Sequence, residues 1–231
     1  LLVRLNNFIE GLSARCFAAD QWFIGVSVNF KNNHRTEGPE MRHHGRQRSD
    51  TGSLRIIGGD WRGRRLSFPA IPDLRPTSDR VRETLFNWLQ PGLRDSHCLD
   101  MFAGSGALGL EALSRGAKHC TFLDQAPAAI TAIQSHLEML KATDRAHAAI
   151  TDALSWTGEP FDIVFVDPPF AREWVLPSLD HLVASNLLTH HALIYVETPL
   201  DYALEALPPP LKTSRDKKTG NVRYLLLEKH P

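Results

Sequence analysis

Two short runs of this sequence carry side chains whose types and spacing could do chemistry. The first is Asp100-Met101-Phe102-Ala103-Gly104-Ser105-Gly106-Ala107-Leu108-Gly109. An apolar strand pattern, Cys98–Phe102, leads into it, and a helix pattern, Ala107–Ser114, leaves it. Glycines at such a bend permit positive φ and let a ligand lie against bare backbone. The spacing is GxGxxG, and Asp124 follows 20 residues after Gly104, at the end of the next predicted strand, His119–Leu123. An acid in that place accepts hydrogen bonds from ribose hydroxyls. So far a dinucleotide and an adenosyl cofactor fit equally. Asp100 discriminates between them. Its carboxylate would repel a pyrophosphate seated on the following helix, and it suits a ligand with an ammonium group, such as S-adenosylmethionine. Cofactor contacts are therefore expected at Asp100, Gly104, Ser105, Gly106 and Asp124. Asp152, just past the weak strand Ala146–Ile150, is placed to accept from an adenine amine, with the Ala153 backbone nearby. Capping of a short helix explains Asp152 equally well.

The second run, Asp167-Pro168-Pro169-Phe170, directly follows Phe161–Val166, an apolar strand expected to be buried on both faces. It falls at the carboxyl edge of the sheet, where open α/β folds bind ligands. Two prolines fix the backbone and remove two N–H donors. The Asp167 carboxylate, the Pro168 carbonyl and the aromatic face of Phe170 remain. That set suits a planar base with an exocyclic amine: the ring stacks and the acceptors take the amine's hydrogens. An aryl amine is a poor nucleophile because its lone pair delocalises into the ring. Acceptors off the ring plane favour a pyramidal nitrogen aimed at a methyl sulfonium. No strong base is needed, because the methyl donor is already cationic and the proton can leave afterwards. Rate then comes from orientation and electrostatics. Catalytic roles are expected for Asp167, Pro168 and Phe170.

Such residues need a frame, and the chain alternates in a way that supplies one. Beyond the elements above, helices are predicted over Pro127–Lys141, Trp174–Ala184 and Asp201–Ala206, and a strand over Ala192–Val196. Thr213–Asp216 and Val222–Leu227 close as a strand pair around Thr219-Gly220-Asn221. Strand–helix alternation implies right-handed crossovers and a mostly parallel sheet covered on both faces. Upstream, Leu54–Ile57, Gly58-Gly59 and Trp61–Phe68 read as a hairpin arm crowded with Arg62, Arg64 and Arg65. Thr77 and Ser78 are N-cap candidates for a helix through about Leu89, with Val81, Leu85, Trp88 and Leu89 on one face. Arg80 and Arg82 in its first turn oppose the helix dipole, so a partner anion would explain them. Pairing with Asp79 or Glu83 is the plainer alternative.

The chain has 231 residues, of which 42% are hydrophobic and 23% charged. This excludes a mainly disordered chain and a disulfide-dense miniprotein. Lys+Arg and Asp+Glu both number 26, so a uniformly basic coat is excluded. The charge is nevertheless uneven: residues 1–96 hold 15 basic and 10 acidic side chains, whereas 97–231 hold 11 and 16. Cys16, Cys98 and Cys120 lack metal-ligand spacing; the last two lie in apolar runs and are expected as buried thiols. No run approaches the roughly 20 apolar residues of a membrane helix. Residues 1–52 read as a flexible basic tail, in which Met41 offers an alternative start and His43-His44 lack further ligands. The expected organisation is thus 1–52 extension, 53–95 basic arm and helix, and 96–231 catalytic domain.

The stretches RIIGGDWRGRRLSFP, LRPTSDRVRETLFNWL, FAGSGALGLEALSRGA and DPPF together resemble the bacterial RsmD-type 16S ribosomal RNA guanine-N2 methyltransferases, from about Leu54 to Lys229. DPPF alone is shared with DNA adenine-N6 methyltransferases and marks only the amine class. The resemblance implies a Rossmann-like class I α/β fold with a seven-stranded, mostly parallel sheet of order 3-2-1-4-5-7-6. It implies S-adenosyl-L-methionine as donor and, as acceptor, the exocyclic N2 amine of one guanine in 16S rRNA of the small subunit or its assembly intermediate. A cytoplasmic monomer without metal or membrane partner is expected. By position, Asp100, Gly104, Gly106 and Asp124 address the cofactor, with Asp124 where Glu is common, shortening its reach by one methylene. Asp167, Pro168 and Phe170 address a base that has left its stack. Arg62, Arg64, Arg65, Arg80 and Arg82 then hold RNA phosphates, and Lys217 and Lys218 extend the footprint. Residues 1–53 match nothing in the family's pattern. The rival readings are a DNA adenine-N6 or protein glutamine-amide methyltransferase, a non-catalytic cofactor-binding assembly factor, and a nicotinamide-dependent oxidoreductase. The first lacks room for a separate target-recognition domain. The last lacks a placed His or Tyr acid and leaves DPPF unexplained.

Overall fold

The strand FDIVFV shows how apolar alternation builds this molecule. Ile163 and Phe165 point into one core and Val164 and Val166 into another, on opposite faces of the sheet. The computed structural model describes residues 51–69, 77–169, 173–204 and 206–230. Phe170, Cys16, Met41, His43 and His44 lie outside the described residues. The described residues belong to one unit, Gln47–Pro231.

In chain order the elements are β1 (Thr51–Arg55), β2 (Arg65–Pro69), α1 (Asp79–Leu93), β3 (His97–Asp100), α2 (Ala107–Ser114), β4 (His119–Asp124), α3 (Pro127–Leu140), β5 (Ala146–Ile150), β6 (Phe161–Val166), α4 (Val175–Ala184), β7 (Leu188–Pro199), β8 (Leu211–Thr219) and β9 (Val222–Lys229). Strands β1 and β2 form the antiparallel arm. The other seven form one sheet of order β5-β4-β3-β6-β7-β9-β8. Numbered from β3, this is the expected 3-2-1-4-5-7-6. The first five are parallel, and β9 runs antiparallel to both β7 and β8. The order reverses between β3 and β6, so a crevice opens at their carboxyl ends. Both chemical runs emerge there.

One face packs Leu85, Phe86 and Leu89 of α1 with Leu110, Leu113, Phe122 and Ile133, and the arm's Leu54 and Leu66 join it. The other face packs Leu179 and Leu182 of α4 on Val164, Ile194 and Leu227. Cys98 and Cys120 are free and buried, and burial pushes the Cys98 thiol up to about 12.

Several expectations need correction. Strand β1 starts at Thr51, inside the stretch read as tail, because Gly52 lets the Phe68 ring lie flat on the backbone: a Cβ there would stand 2.3 Å from Cε2. The second limb of the arm starts at Arg65, since residues 60–63 form a turn. Helix α1 runs through Pro91 to Leu93, whose buried side chain anchors the last turn. Strand β7 is longer than Ala192–Val196 at both ends. No helix forms among the described residues of 201–206; Tyr202 N–H instead donates to the Pro199 carbonyl at 3.1 Å, closing a turn. Among the described residues no helix is long and apolar enough to cross a membrane.

Candidate active site

The glycine bend is built from backbone that only glycine adopts easily. Gly104 and Gly106 have φ of 50° and 76°, and α2 begins immediately after Gly106. Asp124, at the end of β4, clamps this bend. Its Oδ2 accepts from Gly104 N–H at 2.8 Å and its Oδ1 from Ala126 N–H at 2.8 Å. Ser105 is buried within the bend. Asp152 caps the short 3-10 turn Ala153–Ser155, accepting from Leu154 N–H at 3.0 Å. It stays exposed, beside the strand end that carries Asp124, and Ala153 is buried behind it.

Asp100, at the end of β3, is 2% exposed and accepts from Gly109 N–H at 3.0 Å through Oδ2. Burial first, and then the charge of Asp124, push its carboxyl up to about 7 against the Gly109 hydrogen bond. In the free protein this costs stability as pH rises. The unfolded carboxyl ionises near 3.8 while the folded one holds its proton to about 7. Unfolding therefore becomes easier across that window and levels off above it. Asp100→Asn keeps an acceptor for Gly109 without the charge. We expect it to stabilise the ligand-free protein by roughly 1–3 kcal/mol at pH 8 and much less at pH 4, measured by urea unfolding.

At the end of β6, Asp167 lies beside the end of β7. The register pairs Val166 with Val196, so the next residues, Asp167 and Glu197, are neighbours across the sheet edge. Thr77 Oγ1 donates to Asp167 Oδ2 at 2.9 Å, and Tyr195 Oη donates to Glu197 Oε2 at 2.7 Å. Burial, and secondarily the Glu197 charge, hold the Asp167 carboxyl well above the ordinary carboxylate range. Burial raises Glu197 too, partly offset by the Tyr195 hydrogen bond. A cleft of about 390 Å³ opens here, lined by Pro168, Glu197, Pro199 and Tyr202 among others. Phe102 of the glycine bend stacks on Trp174, with ring centroids 5.6 Å apart, tying that bend to the chain beyond the prolines.

Thr77, Tyr195 and Glu197 are residues that sequence reasoning missed as site members. Thr77 was expected only as a cap, but Ser78 takes that place, accepting from Val81 N–H at 3.4 Å, and Thr77 turns to Asp167.

The arginines divide into two sets. Arg62, Arg64, Arg65 and Arg80 are exposed. Arg82 is not, and its expected contact with RNA phosphate is corrected: only 1% of it is exposed. Its guanidinium donates to Asp79 at 2.7 Å, to the Arg55 carbonyl at 2.9 Å and to the Thr77 carbonyl at 3.3 Å, and lies 3.5 Å from Glu111. Fully buried Glu111 also accepts from the Ile57 and Gly58 amides, both at 2.8 Å, and from Arg115 at 2.6 Å. The network pins arm, α1 and α2 together. Gly59 completes the junction: its φ is 74°, and a Cβ would stand 1.8 Å from the Ser114 carbonyl oxygen. Among the described residues, no three His, Cys, Asp or Glu side chains are grouped to hold a metal ion.

A reversed-order parallel sheet with a glycine bend and an acid–proline ledge at adjoining strand ends defines a Rossmann-like class I methyltransferase fold. The solved structure of yhhF from Escherichia coli has the same fold, with a TM-score of 0.72 and 43% identity over 78% of this chain and 99% of that one. Ribosomal RNA small subunit methyltransferase D of Escherichia coli K12 is 46% identical over 184 residues, 78% of this chain and 92% of that protein. The Thermus thermophilus 16S rRNA N2 G1207 methyltransferase, solved with AdoMet and guanosine, matches at 25% identity and a TM-score of 0.59, over 78% of this chain and 50% of that one. Residues 54–228 match the family described as conserved hypothetical protein 95. The chain belongs to that family and is an RsmD-family methyltransferase.

Proposed function

We propose that the protein transfers the methyl group of S-adenosylmethionine to the exocyclic N2 amine of a guanine in 16S rRNA, within the small ribosomal subunit or its assembly intermediate. The carrying observation is the juxtaposition of two strand ends: Asp100 and the glycine bend end β3, and Asp167-Pro168 follow its neighbour β6. The relatives' names support ribosomal RNA as acceptor, and the Thermus protein, solved with AdoMet and guanosine, supports donor and base.

The residues present fit such a cofactor. Left-handed Gly104 and Gly106 bend the chain sharply at the end of β3, and Asp100 offers a buried acceptor to an ammonium group. Asp124 Oδ1 and Oδ2 each accept one amide and keep lone pairs for ribose hydroxyls. Asp152 and Ala153 would border the adenine. When bound, S-adenosylmethionine supplies an electrophilic methyl on a cationic sulfur. Asp167 and the Pro168 carbonyl accept the amine's hydrogens and hold its lone pair toward that methyl, while Phe170 stacks on the base. The proton lost from nitrogen passes to solvent after transfer. The reaction is thus accelerated by placement and electrostatics.

Exposed Arg62, Arg64, Arg65 and Arg80 fit phosphate contacts that set register, and Lys217 and Lys218 lie exposed on β8. Arg64→Ala with Arg65→Ala is expected to weaken particle binding and lower its salt slope by nearly two, roughly one for each phosphate no longer neutralised, without changing cofactor affinity. An unchanged slope would remove these residues from the interface. The reading itself is tested by nucleoside mass spectrometry of ribosomal RNA from a strain lacking the gene, and by methyl transfer to purified small-subunit particles. Loss of one N2-methylguanosine, restored by the protein in vitro, is the expected result. An unaltered profile, or transfer to adenine in duplex DNA, would overturn it. The protein is expected to act in the cytoplasm, as a monomer.

A further inference from the structure

The sheet edge carries a second carboxylate that the reaction above leaves unused. Glu197 lies near the end of β7, and Asp167 follows the end of β6; the residues before them, Val196 and Val166, are paired in register, so the two acids are neighbours. Glu197 opens onto the cleft that Pro168 also lines. Each carboxylate is steadied by one hydroxyl, Thr77 for Asp167 and Tyr195 for Glu197. A carboxylate that accepts one hydrogen bond keeps further acceptor capacity. A Tyr–Glu pair buried against an apolar core is costly to retain if packing is its only use.

We propose that Glu197 is the residue that selects guanine, accepting the base's N1–H while Asp167 and Pro168 hold the adjoining N2 amine. The proposal rests on the amine-methylation reading above and supplies its specificity. On the Watson–Crick edge of guanine, N1–H and the N2 amine stand side by side as donors, with the O6 acceptor beyond N1. Two neighbouring carboxylates with the Pro168 carbonyl form the complementary row of acceptors. Adenine presents a bare N1 acceptor next to its amine and would set a lone pair against Glu197. A buried polar group that loses its partner discriminates far more strongly than a change of shape. Bringing donors to the pair also relieves the repulsion between two buried like charges.

The probe is 2-aminopurine, which keeps the 2-amine and the ring but lacks the N1 hydrogen and O6; the change of preference on altering Glu197 isolates the N1 contact. Small-subunit particles reconstituted with guanine or 2-aminopurine at the methylated position are assayed for kcat/KM with wild-type protein and with Glu197→Gln. Wild type is expected to favour guanine by at least about 100-fold. In Glu197→Gln the amide can donate to a bare N1, so activity on guanine falls and the preference shrinks to within about tenfold. Cofactor affinity by calorimetry and thermal midpoint show that the variant is folded. Equal use of the two bases by wild type overturns the proposal whether or not the variant folds, and Glu197→Asp, which keeps the carboxylate, is expected to keep the preference for guanine. A Glu197→Gln protein that keeps the wild-type preference overturns it as well. Absence of transfer to guanine by wild type would overturn the underlying reading and this one with it, whereas transfer indifferent to N1–H overturns this one alone.

Discussion

Replacing Asp167 by asparagine is expected to lower kcat for methyl transfer by about 10²–10³-fold while leaving cofactor affinity unchanged. The substitution is nearly isosteric. Asn Oδ1 can still accept from Thr77, which in the wild type donates at 2.9 Å, so the local geometry should persist. The change is chemical: an N–H₂ donor now faces the amine hydrogens that the carboxylate held. Asp167→Ala, which removes the acceptor altogether, should lose at least as much. The asparagine variant should not be less stable at neutral pH, because it keeps the acceptor for Thr77. Burial and Glu197 hold the Asp167 carboxyl well above the ordinary carboxylate range, so its ionised form burdens the folded state. The folded pKa exceeds the unfolded one; stability therefore declines as pH rises above the unfolded value. Asparagine removes that dependence, and its advantage in thermal midpoint should grow with pH. Wild-type kcat should fall toward acid with an apparent pKa belonging to the Asp167–Glu197 pair, above the ordinary carboxylate range. An Asp167→Asn protein with near-wild-type kcat would dispose of the acceptor role, whatever its affinity for cofactor.

The Asp167 half of this site could be read from sequence because it combines a buried strand with two prolines, a pattern with few other uses. Its Glu197 half carried the same signal in weaker form. Ile163-Val164-Phe165-Val166-Asp167-Pro168-Pro169 is an apolar run, an acid and two prolines, and Leu193-Ile194-Tyr195-Val196-Glu197-Thr198-Pro199 is an apolar run, an acid and, one residue further on, a proline. Only the pairing of β6 and β7 as parallel neighbours in register makes the two acids adjacent. The mostly parallel sheet was legible because strand and helix patterns alternate along most of it, whereas the order of its seven strands followed from the family resemblance. Elements that failed were decided by packing across long sequence separations. Gly52 becomes a strand residue because of the Phe68 ring, and Leu93 carries α1 past Pro91 because the core receives it. Arg82 misled for a similar reason. Nothing local distinguishes it from exposed Arg80, yet a step of two residues turns it from solvent to the interior. Its partner Glu111 lies 29 residues away in an otherwise apolar helix. That lone acid in LGLEALS was the available signal.

Glu111→Ala is accordingly expected to cost about 3–5 kcal/mol of folding stability. The carboxylate is fully buried, and its two oxygens accept four hydrogen bonds or ion-pair contacts: Ile57 N–H, Gly58 N–H, Arg115 and, at 3.5 Å, Arg82. Alanine leaves the Arg82 cation in the interior with only Asp79, itself mostly exposed, as a charged partner. It also frees the arm's backbone at Ile57 and Gly58, so the arm should detach from α2 before the sheet unfolds. Arg82→Ala breaks the same network from the other side and releases the Thr77 carbonyl, held at 3.3 Å. Because Thr77 steadies Asp167, this variant should lower kcat as well as stability, with cofactor affinity preserved. Urea unfolding with hydrogen exchange at Ile57 and Gly58 reports the first effect, and single-turnover methyl transfer the second. The contrast with Arg64 and Arg65 is diagnostic. Removing those exposed cations should alter the salt dependence of particle binding and leave unfolding untouched, whereas removing Arg82 should do the reverse. A stable Arg82→Ala protein with a reduced salt slope would return Arg82 to the phosphate-binding surface and break the proposed line from Glu111 through Arg82 and Thr77 to the reacting amine.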